Sequence, residues 1–143
     1  MLKTIPGNIS PQLMMALMEM GHGDKIVLAD ANFPAAANAR RLVRADGIEI
    51  PDLLESLMKY FPLDNFVEYP VKLMAVAPGL GETPEIWDTY GAIIEKHDDS
   101  NAFTKFEYLE RMIFYEEAKK AFAVVATGTT VKYANIMLQM GVV

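Results

Sequence analysis

No cysteine occurs in the 143 residues of the chain. That absence removes disulfide frameworks, thiolate nucleophiles and the usual structural zinc sets together. Serine is almost as scarce, with Ser10, Ser56 and Ser100 the whole supply. None stands in a G-x-S-x-G elbow, and each is accounted for by a helix cap, a helix face or a loop, so a Ser-His-Asp hydrolase finds no support. A basic excess is missing too: 13 Lys and Arg against 19 Asp and Glu leave a formal charge of −6, and the cations are scattered rather than striped. Such a surface does not neutralise phosphates, and nucleic acid is not an expected partner. No apolar run approaches the roughly 20 residues that a bilayer requires. The opening "MLKTIPGNIS" has neither the basic region nor the apolar core of an export signal. No membrane association is expected, and a cytoplasmic location is. The Gly/Pro-rich "APGLGETPE" and the turn "ATGTT" both lack the Lys-Ser/Thr ending of a phosphate-cradling loop.

What is present is apolar. Hydrophobic residues make up 52% of the chain and charged residues 22%, enough for one sizeable core, and a single domain over 1–143 is expected. "SPQLMMALMEMG" predicts a helix over 11–20, with Ser10 as N-cap, Pro11 in the first turn and Gly21 as a left-handed terminator. Leu13, Met14, Leu17 and Met20 share its core face, the methionines acting as filler. "KIVLAD" reads as a strand buried on both faces. "RLVRADG" reads as strand, "IPDLLESLMKYFP" as helix, "VKLMAVAP" as strand and "TPEIWDTYGAIIEKH" as helix. "TKFEYL", "FAVVATG" and "ANIML" read as strands, with the helix "MIFYEEAKKA" between the first two. This alternation predicts a layered α/β sandwich with a mixed, largely parallel sheet.

Only two histidines are available for acid/base work. His22 lies in "GHGD" at a helix-to-strand connection, where flexible backbone lets an imidazole project into a cleft and Asp24 or Asp30 is at hand to fix its tautomer. The competing reading is a histidine hydrogen-bonded at a helix terminus. His97, in "EKHDDSN", reads as a solvated helix-end residue. His22, Asp24 and Asp30 match no short metal-ligand motif, and no metal is expected. Asp30 ends its strand, where ligands of open α/β sheets gather. In "KYANIMLQMGVV", Tyr133 and Asn135 point to one face if the segment runs as a strand, and together they can grip a small polar ligand. Taken alone, the better reading is an aromatic and an amide at a strand entrance, each satisfied by its own neighbours. Arg111, in "LERMIFYEE", offers a forked set of donors, for which Glu110 and Glu107 are competing partners.

Taken together, "EMGHGD", "DANFP", "VRADG", "FYEEAKKAFAVVATG" and "KYANI" resemble the RbsD/FucU family of sugar mutarotases over nearly the whole chain, and are particularly similar to its fucose branch. Some fucose members read Asp-Ala-His-Phe-Pro where this chain has Asn32. The resemblance implies an RbsD-like fold and a cofactor-independent isomerase that interconverts the α and β anomers of L-fucose, with D-ribose or another monosaccharide as the alternative substrate. A sugar-binding oligomer without turnover is the rival from outside the enzymes. It also implies His22 as the catalytic acid/base and Asp30, Arg111, Tyr133 and Asn135 as sugar-binding residues. Finally, it implies a homo-oligomeric ring, commonly a decamer, with sites near subunit boundaries.

Overall fold

Four of the six strands end or begin where the sequence changes from apolar runs to Asp, Gly or Pro, and the sheet follows from pairing those runs. The computed structural model describes residues 1–143, in the order α1 (Pro11–Glu19), β1 (Lys25–Ala29), α2 (Ala35–Asn38), β2 (Leu42–Ala45), α3 (Ile50–Leu57) and β3 (Val71–Met74). There follow α4 (Ile86–His97), β4 (Glu107–Leu109), α5 (Arg111–Lys120), β5 (Ala123–Thr127) and β6 (Ile136–Gln139). The strands form one sheet in the order β2-β5-β1-β6-β3-β4. β1 and β2 both pair parallel to β5, and β3 pairs parallel to β4. β6 is antiparallel to both β1 and β3. The sheet is therefore mixed and mostly parallel, as the alternation predicts.

β1 and β5 are interior strands and are buried on both faces, which is the pattern of strands covered on two sides. Ile26 and Leu28 face the larger core with Leu13, Leu53, Leu54, Tyr90 and Ile94 of α1, α3 and α4. Val27 and Ala29 face the opposite layer, with Phe114 and Ala118 of α5 and Ala35 of α2. The result is three layers with the sheet in the middle. Leu13, Leu17 and Met20 are buried in the larger core and Met14 packs against it, so the apolar stripe of α1 is core packing. No helix is long and apolar enough to cross a membrane.

Three local expectations are corrected. Ser10 caps α1 by accepting the Leu13 N–H, but the left-handed residue after the helix is Gly23, φ 86°, not Gly21. The carboxylate of Asp24 accepts the Gly21 N–H at 2.8 Å, so the chain leaves α1 extended and reverses two residues later. β6 begins at Ile136, so Tyr133 and Asn135 do not alternate along a strand; Tyr133 has φ 60° and turns the chain into β6. His97 is not solvated. Its imidazole lies 2.6 Å from Glu55 of α3 and is largely covered, and with Lys96 it holds the Glu55 carboxyl below the usual range while tying α4 to α3. The short α2, a single turn after Pro34, has no counterpart in the sequence reading.

Candidate functional site

Because every strand except β6 runs the same way, the ends of β1, β3 and β4 and the start of β6 meet at one edge of the sheet. Asp30 follows β1, Met74 closes β3, Arg111 comes two residues after β4, and Asn135 precedes β6. With Tyr115, Lys132 and Tyr133 they line a cleft of about 210 Å³. That is below the range of about 300–1,000 Å³ usual for drug-sized ligands and suits a single small polar molecule. Four of the five expected site residues, Asp30, Arg111, Tyr133 and Asn135, are thus brought together.

Asp30 is buried and organised from two sides. Its N–H donates to the Asn135 side-chain oxygen at 2.8 Å, across 105 residues of sequence. Its carboxylate accepts the Asn32 N–H at 2.9 Å. Burial raises its pKa above the ordinary aspartate value, opposed by hydrogen bonds from the Asn32 and Phe33 backbone and from Asn135. Arg111 forms neither of the ion pairs open to it. Glu107 is engaged by Lys72 at 2.6 Å, and Glu110 caps α5 by accepting the Met112 and Ile113 N–H groups. The guanidinium is left exposed beside the cleft with its donors free for a ligand. Phe33 packs edge-on against Tyr115 at 5.2 Å and makes an aromatic wall. Asp30 and Phe33 separate this cleft from a second, larger cavity of about 480 Å³ bordered by Arg44, Asp46 and Thr127.

His22 is not in that cleft. It precedes β1, and the five residues of β1 alone span roughly 16 Å, so the imidazole stands at the opposite end of the strand from Asp30. The carboxylate expected to orient it is corrected as well. Asp24 is occupied with Gly21, and Asp30 is at the far edge; the partner is Asp64, 3.2 Å from Nε2. Asp64 is almost fully buried, whereas the His22 side chain is 46% exposed. Burial would raise the pKa of Asp64, but hydrogen bonds from the Phe66 N–H, the Gln139 amide and His22 prevail and hold it below the ordinary value. A carboxylate kept ionised in this way fixes Nε2 as the proton-bearing nitrogen and leaves Nδ1 to exchange protons. Phe66, itself exposed, packs its ring 5.2 Å from the imidazole. Asp64 carries no sequence signal, since "PLDNF" matches no motif and its partners lie 42 and 75 residues away.

An α/β sandwich with an ionisable, donor-rich cleft at the strand ends and a carboxylate-held histidine at the other edge defines a class of small polar-ligand proteins. Residues 3–143 match the RbsD / FucU transport protein family, and the chain belongs to that family. It is 47% identical to a fucose mutarotase of Homo sapiens, the alignment covering 99% of this chain and 94% of the relative. The fold superimposes on the crystal structure of the Streptococcus pneumoniae fucose mutarotase in complex with L-fucose with a TM-score of 0.92 and 52% identity, covering 99% of each chain. Bacillus subtilis RbsD complexed with D-ribose is more distant, with a TM-score of 0.73 and 25% identity over 100% of this chain and 99% of that one.

Proposed function

We propose that this protein is an L-fucose mutarotase, an isomerase that equilibrates the α and β anomers of the free sugar. The observation that carries the reading is the 52% identity, over 99% of both chains, to a fucose mutarotase solved with L-fucose. The more distant likeness to the ribose-bound relative makes D-ribose the weaker candidate.

The reaction needs one proton removed and one delivered. The anomeric hydroxyl loses its proton, the bond from C1 to the ring oxygen breaks with its electron pair going to that oxygen, and the ring oxygen is protonated. Rotation of the resulting aldehyde and the reverse steps give the other anomer. His22, with Nε2 held by Asp64, is the acid/base, since an imidazole can take a proton at one ring nitrogen while the other is held. Asp30 accepts hydrogen bonds from sugar hydroxyls, Arg111 and Asn135 donate to oxygens, and Tyr133 binds a hydroxyl or packs on the apolar face of the ring.

In one chain these groups lie at opposite edges of the sheet, so the reading includes assembly. The exposed edge with His22 and Phe66 of one subunit meets the Asp30 cleft of the next. Such a contact joins different surfaces of identical subunits, and repeated head to tail it closes into a ring. The decamer implied by the family resemblance and a cytoplasmic location belong to the same proposal.

Saturation-transfer NMR between the anomeric protons tests it, with L-fucose and D-ribose compared in the same buffer. Faster exchange for L-fucose is expected. Acceleration of ribose alone moves the protein to ribose chemistry, and binding of either sugar without acceleration makes it a sugar-binding oligomer.

A further inference from the structure

Tyr133 stands in the left-handed region with φ 60° although it carries a full side chain. A non-glycine residue there is strained by its Cβ and persists only where its surroundings impose it. Two side chains of α4 impose it. The indole N–H of Trp87 donates to the Tyr133 carbonyl at 2.8 Å, and the Tyr90 hydroxyl donates to the Ala134 carbonyl at 2.7 Å. Trp87 and Tyr90 are three residues apart on one face of α4, both buried, and neither lines the cleft.

These bonds are more than core satisfaction. Phenylalanine would fill nearly the space of Tyr90 and most of that of Trp87, yet each side chain carries one polar atom whose single partner is one of these two carbonyls. The carbonyls lie in the peptide planes on either side of Ala134, so fixing them fixes the directions in which Tyr133 and Asn135 leave the backbone. The next link is direct, because the Asn135 side chain accepts the Asp30 N–H. Burial, with the Asp30 and Glu49 carboxylates nearby, pushes the Tyr90 hydroxyl up, which keeps it a neutral donor.

We propose that Trp87 and Tyr90 are positioning residues for the cleft: through two backbone carbonyls they hold Tyr133-Ala134-Asn135 in the one conformation that presents Tyr133 and Asn135 to the ligand. The kinetic part of the test rests on the sugar reading above.

The variants are Tyr90→Phe and Trp87→Phe, which remove a donor and keep an aromatic ring. Each is expected to raise KM for L-fucose about three- to tenfold, the worth of one hydrogen bond, with kcat within about twofold. In an Asn135→Ala background the KM effect disappears, because the positioned group is gone. Amide hydrogen exchange gives a readout free of sugar: the Asp30 N–H exchanges faster in both variants as its Asn135 acceptor loosens. Ile94→Val, a core truncation one turn further along α4, lowers Tm but leaves KM and the Asp30 amide unchanged. Unchanged KM and unchanged Asp30 exchange in both variants overturn the proposal, as does an equal rise of KM in Ile94→Val. If the parent protein does not accelerate L-fucose exchange, the sugar reading fails and the Asp30 amide alone decides this one. If Tyr90→Phe does not fold, Trp87→Phe carries the comparison.

Discussion

The proposed division of the site between subunits makes a quantitative demand on mixtures of inactive variants. His22→Ala removes the proposed acid/base and leaves the cleft intact; Asp30→Asn removes the anionic acceptor of the cleft, which is expected to abolish exchange, and leaves His22 intact. Both are expected to fold. The His22 side chain is nearly half exposed, and an asparagine at position 30 retains the oxygen that accepts the Asn32 N–H. When equal amounts are refolded or expressed together, each junction draws its histidine edge from one subunit at random and its cleft from the neighbour. About half of the histidine edges and about half of the clefts are intact, so about one quarter of the junctions recover both, whatever the size of the ring. Anomer exchange of L-fucose, silent in either variant alone, should return to about a quarter of the parent rate. It should fall symmetrically as the mixing ratio departs from one to one. Native mass spectrometry reports whether mixed assemblies formed. Mixed assemblies as inactive as their components would refute the divided site, and near-parental exchange in His22→Ala alone would remove His22 from the chemistry.

Two further outcomes follow from the carboxylates. Asp64→Asn keeps the shape of the side chain, and Gln139 can turn its amide oxygen to meet the new NH₂, but the charge opposite the protonated imidazole is lost. At an effective dielectric of about 20, discounted for a half-exposed partner, that charge is worth roughly 1–2 kcal/mol, so kcat should fall about five- to thirtyfold with little change in KM; a parental kcat would exclude Asp64. Asp30 and Asp64 should also pull stability in opposite directions on acidification. The raised pKa of Asp30 means that the folded state takes up its proton first, so its contribution to stability grows as pH falls through the folded value toward the ordinary one, while KM rises because the ionised acceptor is lost. The lowered pKa of Asp64 gives a contribution present above the ordinary aspartate range and lost as pH falls through its folded value. Thermal melts of Asp30→Asn and Asp64→Asn against the parent between about pH 3 and 6 read both signs, and parallel curves would contradict the assignment.

The elements legible in the sequence are those whose cause is local. β1 and β5 are apolar runs bounded by turn residues, α1 carries its own serine cap, and α3 follows directly from the Pro51 signal and its apolar spacing. The position of Asp30 at the end of β1 was legible because the aspartate closes an apolar run directly. The features that escaped depend on partners far along the chain. Gly21 and Gly23 flank His22 alike, and the Asp24 carboxylate on the Gly21 N–H decides which of them turns left-handed. A Tyr-x-Asn pair reads as strand alternation until Trp87 and Tyr90, 46 and 44 residues upstream, bend it into another shape. The separation of His22 from Asp30 was illegible for a simpler reason: both flank the same strand in sequence, and extended backbone carries near neighbours in sequence to opposite edges of the sheet.

The one strand that runs against the others explains why both half-sites are so well ordered. β6 lies between β1 and β3 and is antiparallel to each, with Leu28 opposite Ile136 and Lys25 opposite Gln139. Its beginning therefore meets the C-terminal end of β1, where Asn135 fixes Asp30, and its end meets the N-terminal end of β1, where Gln139 donates to Asp64. Asn135 and Gln139 are four residues apart, and the register between them is set by fully or almost fully buried Ile136, Met137 and Leu138. A shift of one residue in β6 would turn these apolar side chains to the wrong layers. It would also withdraw the partners of both Asp30 and Asp64. The apolar register that holds the core together is thus the same register that aligns the Asp30 carboxylate at one edge and the histidine's carboxylate, Asp64, at the other. The proposed head-to-tail assembly then has only to bring two already ordered edges into contact.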